Sequence, residues 1–347
     1  MNINSYLLQE INPHLNKYDL TKDEIEDFFN QNNLYPQRLQ DGLHIIKKVM
    51  DTHGKSEIAN HLYELSRIEP PYIKIDDESR DHVVHALQTY VLGIYLNESF
   101  LTRSRTNIKP FPWKVACLFH DIGYPTRIAR GILKTYSDQR NKLGQKLGFE
   151  TSDIFFQIRP MEFEKLCNGE NSFELIQKCL KKWKLDIDIK SDFEKTVNEG
   201  KIRHGAMSAL SVLNSIDLYY QKYNPERKFE KVIEPFSAID CDQTNFVNDI
   251  IPACAAIFIH DMPPEYFENA KIIRRKAPLA FLLKLSDSLQ EAQRPSSGLP
   301  HGIEPNCFNI EIKDDELRFS ANISVNTREK IEAEIHGCLD ANDVRIL

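Results

Sequence analysis

The chain has 347 residues, of which 41% are hydrophobic and 27% charged, and it carries a formal charge of −7. That length allows one or two domains around a large buried core, and the composition is that of a globular protein, not a disordered one. The acidic balance argues against stable binding of duplex nucleic acid, which calls for a basic face. A phosphorylated small molecule is compatible with it, because a few local cations suffice to line one pocket.

In chain order, residues 1–65 read as an N-terminal helical region, with Ile11, Leu15, Leu20 and Ile25, then Leu39, Leu43, Ile45, Ile46 and Val49, at helical spacing. Pro70, Pro71 and Asp76-Asp77 predict a loop over 66–79. From Asp81 to about Asn97 the chain is apolar on most sides (Val83, Val84, Leu87, Val91, Leu92, Ile94, Leu96), which predicts a central buried helix. RSRTNIKPFP (103–112) reads as a turn-rich connection, and Trp113 to His120 as a second buried helix ended by Gly123 and Pro125.

Residues 126–200 are richer in charge and are expected to be a largely helical insertion. Strong helical character returns from Arg203 to about Tyr219, followed by a long connection from Pro225 to Asn248. Pro252–His260 and Pro278–Glu291 predict two more apolar helices, each with proline in its first turn, where a missing N–H costs nothing. In the tail, Phe308, Ile310 and Ile312, then Leu317, Phe319, Ala321 and Ile323, alternate with polar residues about Lys313-Asp314-Asp315-Glu316. This is a β-hairpin pattern, and a helix from a capping Thr327 to Leu339 follows it. The expected fold is mainly α: a helical domain over 66–300 carrying the insertion 126–200, preceded by the 1–65 region and followed by a hairpin and helix over 301–347.

The seven cysteines (Cys117, Cys167, Cys179, Cys241, Cys254, Cys307 and Cys338) include no Cys-x-x-Cys pair. An odd count without such spacing predicts neither a disulfide framework nor a zinc ribbon. The N-terminal stretch has no basic region followed by an apolar one, and no run approaches the roughly 18 apolar residues of a membrane span. A cytoplasmic protein that does not enter membranes is expected, with self-association into a homo-oligomer left open.

The most informative residues are His82, His85, His120-Asp121, His204, His260 and Asp287, each set in an apolar helical run. An unpartnered imidazole or carboxylate in such a place costs several kcal/mol, and a shared metal ion would satisfy all of them. His82 and His85 share a helix face. For any one of these residues alone, a hydrogen-bonded core histidine or an ion-paired aspartate is the plainer reading.

The order of these residues resembles the HD-domain phosphohydrolases, and the matching stretches are HALQTYVLGIYL, VACLFHDIGYP and LLKLSDSLQE. The resemblance covers roughly residues 80–125 and 200–295. It implies a helical-bundle core with metal ligands at His85, His120, Asp121 and Asp287. His85 is preferred over His82 because it directly precedes the apolar run; His82 is then a supporting group or a substrate contact. Two-metal members add histidines between the His-Asp and the last Asp, which fall here on His204 and His260. In many members the second of these is a His pair, where this chain has His260-Asp261. The wider pattern also looks like a bacterial branch associated with conflict and defence systems.

Two subfamilies fit poorly. Cyclic-di-GMP phosphodiesterases place Lys where this chain has Tyr124, and the HDLGHPPFGH of deoxynucleotide triphosphohydrolases is replaced by HDIGYPTRIARGI. The implied activity is hydrolysis of a nucleotide or another phosphorylated small molecule, with one or two divalent transition ions (Mn, Fe, Co, Ni or Zn). Asp121, His204 and His260 are the candidate catalytic residues, with Asp121 able to bridge two ions. Arg80, Arg203, Lys284, Arg294 and His82 are candidate substrate contacts, although an ion pair with Asp287 is the plainer reading of Lys284. A catalytically weak nucleotide-sensing module is the alternative.

Overall fold

The computed structural model describes residues 9–30, 35–52, 55–64, 82–125, 140–142, 146, 171–199, 201, 203–223, 246–293, 308–313 and 315–347. The predicted loop at 66–79, most of the connection 225–245, and Arg80 and Arg294 lie outside these residues.

The described chain is mainly helical. After a short 3₁₀ turn (Asn12–Tyr18) come α1 (Lys22–Asn30), α2 (Tyr35–Asp51), α3 (Ser56–Leu62), α4 (His82–Leu96) and α5 (Pro110–Leu118). Then follow α6 (Ser172–Lys182), α7 (Ile189–Asn198), α8 (His204–Tyr223), α9 (Ile251–His260) and α10 (Pro278–Gln290). The tail contributes β1 (Phe308–Lys313), β2 (Glu316–Ala321), α11 (Val325–Cys338) and β3 (Val344–Ile346).

Helix α9 is the hub. It packs against α8, α10, α5 and α6, and Ile251 and every residue from Ala253 to His260 are buried, so a helix apolar on all sides has found neighbours on all sides. Helix α4 is equally enclosed, packed on α10 and α5. The Trp113 ring of α5 lies over Gly93 of α4, and its indole N–H donates to the Tyr90 carbonyl at 3.3 Å. Buried hydrophobic residues from Ile11 to Val344 belong to one cluster, so the N-terminal region and the tail share the core of the central helices.

Several boundaries differ from the sequence reading, each for a local reason. Helix α5 starts at Pro110 and not at Trp113, because both prolines of PFP sit in its first turn, where no hydrogen bond is lost. It stops at Leu118, which leaves His120-Asp121 in the turn just beyond it. Part of the long connection before α9 is a π-helical turn, Phe246–Ile250. Within the expected insertion, α6 and α7 are regular helices, and α6 opens on a capping box between Asn171 and Glu174.

The hairpin pairs β1 with β2 in antiparallel register, closing at Lys313↔Glu316, with Asp315 in the left-handed region at φ 63°. Ile310, Leu317 and Phe319 face the core. The third strand was not expected: β3 pairs in parallel with β2 at Leu317↔Val344, too short for its alternation to be read in sequence. The last helix is capped by Ser324, not Thr327. The Ser324 hydroxyl accepts the Thr327 N–H at 3.1 Å, so α11 begins two residues before Thr327.

Candidate metal centre

Four helix ends and the middle of a fifth helix meet at one place. His85 lies one turn into α4, His120-Asp121 just past the end of α5, His204 first in α8, His260 last in α9, and Asp287 within α10. His85, His120, Asp121 and His260 are buried at 4% exposure or less.

On one side of Asp121, the His85 Nε2 lies 2.9 Å from an Asp287 oxygen and 3.2 Å from the His120 Nε2. The same nitrogen is 3.6 Å from Asp121 Oδ2. On the other side, Asp121 Oδ1 lies 3.2 Å from His204 Nε2 and 3.5 Å from His260 Nε2, and those two nitrogens are 3.2 Å apart. Asp121 Oδ2 therefore faces His85, while Oδ1 lies within 3.6 Å of His120, His204 and His260. Donor atoms of His85, His120 and Asp121 lie within 4.8 Å of one another, as do those of His120, His260 and Asp287, and those of Asp121, His204 and His260.

Ring orientation is set by the backbone. The Nδ1 of His120 is 2.7 Å from the Cys117 carbonyl, and that of His260 is 2.6 Å from the Ile257 carbonyl. A carbonyl only accepts, so each Nδ1 carries a proton and each ring turns its Nε2 into the cluster. His204 has its Nδ1 3.3 Å from the Asp261 carboxylate, an ion-pair contact. His204 Nε2, His260 Nε2 and Asp121 Oδ1 meet within 3.5 Å of one another. Two imidazole nitrogens and a carboxylate oxygen at this spacing are a donor set that fits a metal ion.

The electrostatics agree. Burial opposes charge on His120, yet the carboxylates of Asp121 and Asp287 outweigh it and push its pKa up to about 9. Burial would raise Asp287, but hydrogen bonds and charge from His120 and His85 hold it well below the usual carboxylate range. The pocket attracts positive charge, whether proton or metal.

The remaining candidates fall elsewhere. His82 stacks on Tyr124, with ring centroids 4.0 Å apart, and Tyr124 in turn meets His204 edge-on at 5.3 Å. With Asp121, His82 supplies the polar side of a small cavity, about the size of one water molecule, walled by Leu62, Tyr63, Leu118 and Ile122. Lys284 lies behind the cluster: its ammonium donates to the His260 carbonyl at 2.9 Å and pairs with Glu334 of α11 at 3.6 Å. The sequence reading paired this lysine with Asp287, since Glu334 is 50 positions away and invisible to helical spacing. Arg203 is engaged by Asp192 of α7 and lies over the rings of Phe258 and Tyr266. Asp192 and Glu334 carried no signal in the sequence, because each is an ordinary acidic residue of an amphipathic helix.

The chain matches no protein-family model, and no curated protein and no solved structure matches it. What the chain itself displays is a mainly helical fold holding a buried His/Asp cluster whose donor atoms stand close enough to bind a metal ion.

Proposed function

We propose that this chain is an HD-type metal-dependent phosphohydrolase acting on a nucleotide or another phosphorylated small molecule. The observation that carries the reading is the convergence of His204 Nε2, His260 Nε2 and Asp121 Oδ1, with His85, His120 and Asp287 beside them. Imidazole nitrogens mixed with carboxylate oxygens suit Mn, Fe, Co, Ni or Zn. When bound, such ions supply Lewis acidity toward a phosphoryl oxygen and make water a better nucleophile near neutral pH.

The chain's own residues do the rest. Asp121, central to both histidine groups, would be one of the residues that hold the metal. Carbonyls of Cys117 and Ile257 keep His120 and His260 in the ligating tautomer. Lys284 holds the His260 carbonyl, fixing the end of α9 where that ligand sits. His82, stacked on Tyr124 beside the cluster, would be a substrate contact.

A sensing module built on the same centre is the second reading. It is favoured by one observation: Arg203 and Lys284 are engaged by Asp192 and Glu334 and so are not displayed toward phosphate. The test is elemental mass spectrometry of untagged protein beside Asp121→Ala, followed by a screen of nucleotide phosphatase and phosphodiesterase substrates. One or two transition ions per chain, lost in the variant, with turnover of a phosphate ester, is the expected result. Metal with tight nucleotide binding but no turnover favours the sensor, and metal-free protein after addition of Mn or Zn overturns both.

A further inference from the structure

We propose that Asp261 is a positioning residue for His204, and that by standing outside the ligand set it makes the two halves of the centre unequal. This rests on the metal-centre reading above.

Asp261 follows a ligand directly, yet its carboxylate turns away from the cluster and toward the start of α8. Its Oδ2 lies 3.3 Å from His204 Nδ1 and accepts the Gly205 N–H at 3.0 Å. The first N–H groups of a helix have no partner within it, so a carboxylate there is held by both hydrogen bonding and the helix dipole. Gly205 makes the approach possible: a Cβ at that position would stand 2.6 Å from Asp261 Oδ1 and 2.7 Å from the Ile257 carbonyl. Carboxylate, glycine and histidine therefore form one unit, whose output is a His204 ring with its Nε2 turned to Asp121.

The consequence is an imbalance in donors. On one side, His85 and His120 each lie within 3.6 Å of both Asp121 and Asp287. The other has Asp121, His204 and His260. Three protein donors leave coordination positions open, the arrangement of sites where an exogenous oxygen enters. An ion held on the His204 side would be the more weakly bound and more exchangeable of the two. Asp261 sets its affinity through the orientation of His204 without touching it.

The experiment is titration of metal-free full-length protein with Zn²⁺ by calorimetry, with Co²⁺ absorption as a second readout, for wild type, Asp261→Asn and Gly205→Ala. Wild type should show two sites of different affinity. Asp261→Asn keeps the shape and removes the charge; it should weaken the looser site about 10–100-fold and leave the tighter one within about twofold. Gly205→Ala, which displaces the carboxylate while keeping its charge, should show the same selective loss, and the Co²⁺ spectrum should change only in the second equivalent. Equal loss at both sites, or no change at either, overturns the proposal. Failure of wild type to bind Zn²⁺ overturns it together with the metal-centre reading. Selective loss in a protein that turns over no phosphate ester overturns the hydrolase reading alone.

Discussion

His120 and His260 stand edge to face with ring centroids 5.0 Å apart, and each is anchored by the carbonyl three residues before it. Both sit at the C-terminal end of a buried helix, α5 or α9, where the last carbonyls lack helical partners. An imidazole at that point satisfies one such carbonyl and projects its other nitrogen beyond the helix end. The same local solution, used twice on adjacent helices, is what brings two ring nitrogens into one pocket.

Removal of metal should cost stability. An ion that binds only the folded chain stabilises it by about 2.7 kcal/mol at a free concentration 100 times its Kd. Dialysis against a chelator should lower the thermal midpoint by several degrees, and adding Zn²⁺ or Mn²⁺ should restore it. An unchanged midpoint in protein shown to hold metal would mean that the cluster folds equally well on protons alone.

His82 and His85 share a helix face and should separate cleanly by mutation. His85→Ala removes a nitrogen within 3.6 Å of His120, Asp121 and Asp287 and should cost one bound ion per chain. His82→Ala removes a ring stacked on Tyr124 and should leave metal content unchanged while weakening substrate binding. Elemental analysis of both variants decides it.

The Lys284–Glu334 pair should be worth more than a surface ion pair. Lys284 is 4% exposed, so Glu334→Ala leaves its ammonium with the His260 carbonyl alone. Deleting one partner of a buried pair costs about 3–5 kcal/mol, and the partial exposure of Glu334 brings the expectation down to about 2–3 kcal/mol. Urea unfolding of the variant measures it.

Glu98 should make the fold acid-sensitive. Burial raises a carboxyl, but here hydrogen bonds from Lys17 at 2.7 Å and Tyr18 at 2.5 Å outweigh it and hold Glu98 below its ordinary pKa. A carboxylate lowered by folding contributes stability above its unfolded pKa, and that contribution is lost as the pH falls through the folded value. Between pH 6 and pH 3 the urea midpoint of wild type should therefore fall more steeply than that of Glu98→Gln.

Gly93 should tolerate no side chain. A Cβ there would stand 1.9 Å from the Trp113 ring, which is fully buried and cannot step aside. Overpacking of this kind costs about 1–3 kcal/mol or more, read as a lowered melting temperature for Gly93→Ala.

Periodicity made α4, α8, α9 and α10 legible, because a buried helix needs an unbroken apolar run and these four have one. It missed β3, whose three residues are too few to alternate, and it misplaced the cap of α11, where Ser324 and Thr327 are equally plausible until the backbone turns. The metal-ligand candidates were visible as polar residues in apolar runs. Asp192, Glu334 and the role of Asp261 were not, since a residue that acts by facing another across the core leaves no spacing behind.

The sequence by itself determined which side chains had to be rescued from the core: each His or Asp in an apolar helix needs a partner to offset its desolvation, and that demand is local. Only the tertiary structure decided what the partners are. Whether His120 meets a backbone carbonyl or a second histidine, whether Lys284 pairs with Asp287 or Glu334, and whether Asp121 turns its two oxygens to one group or two, all depend on how helix ends far apart in the chain are packed. Those contacts are fixed by the burial of α9 among its neighbours, a property of the whole core and of no single segment.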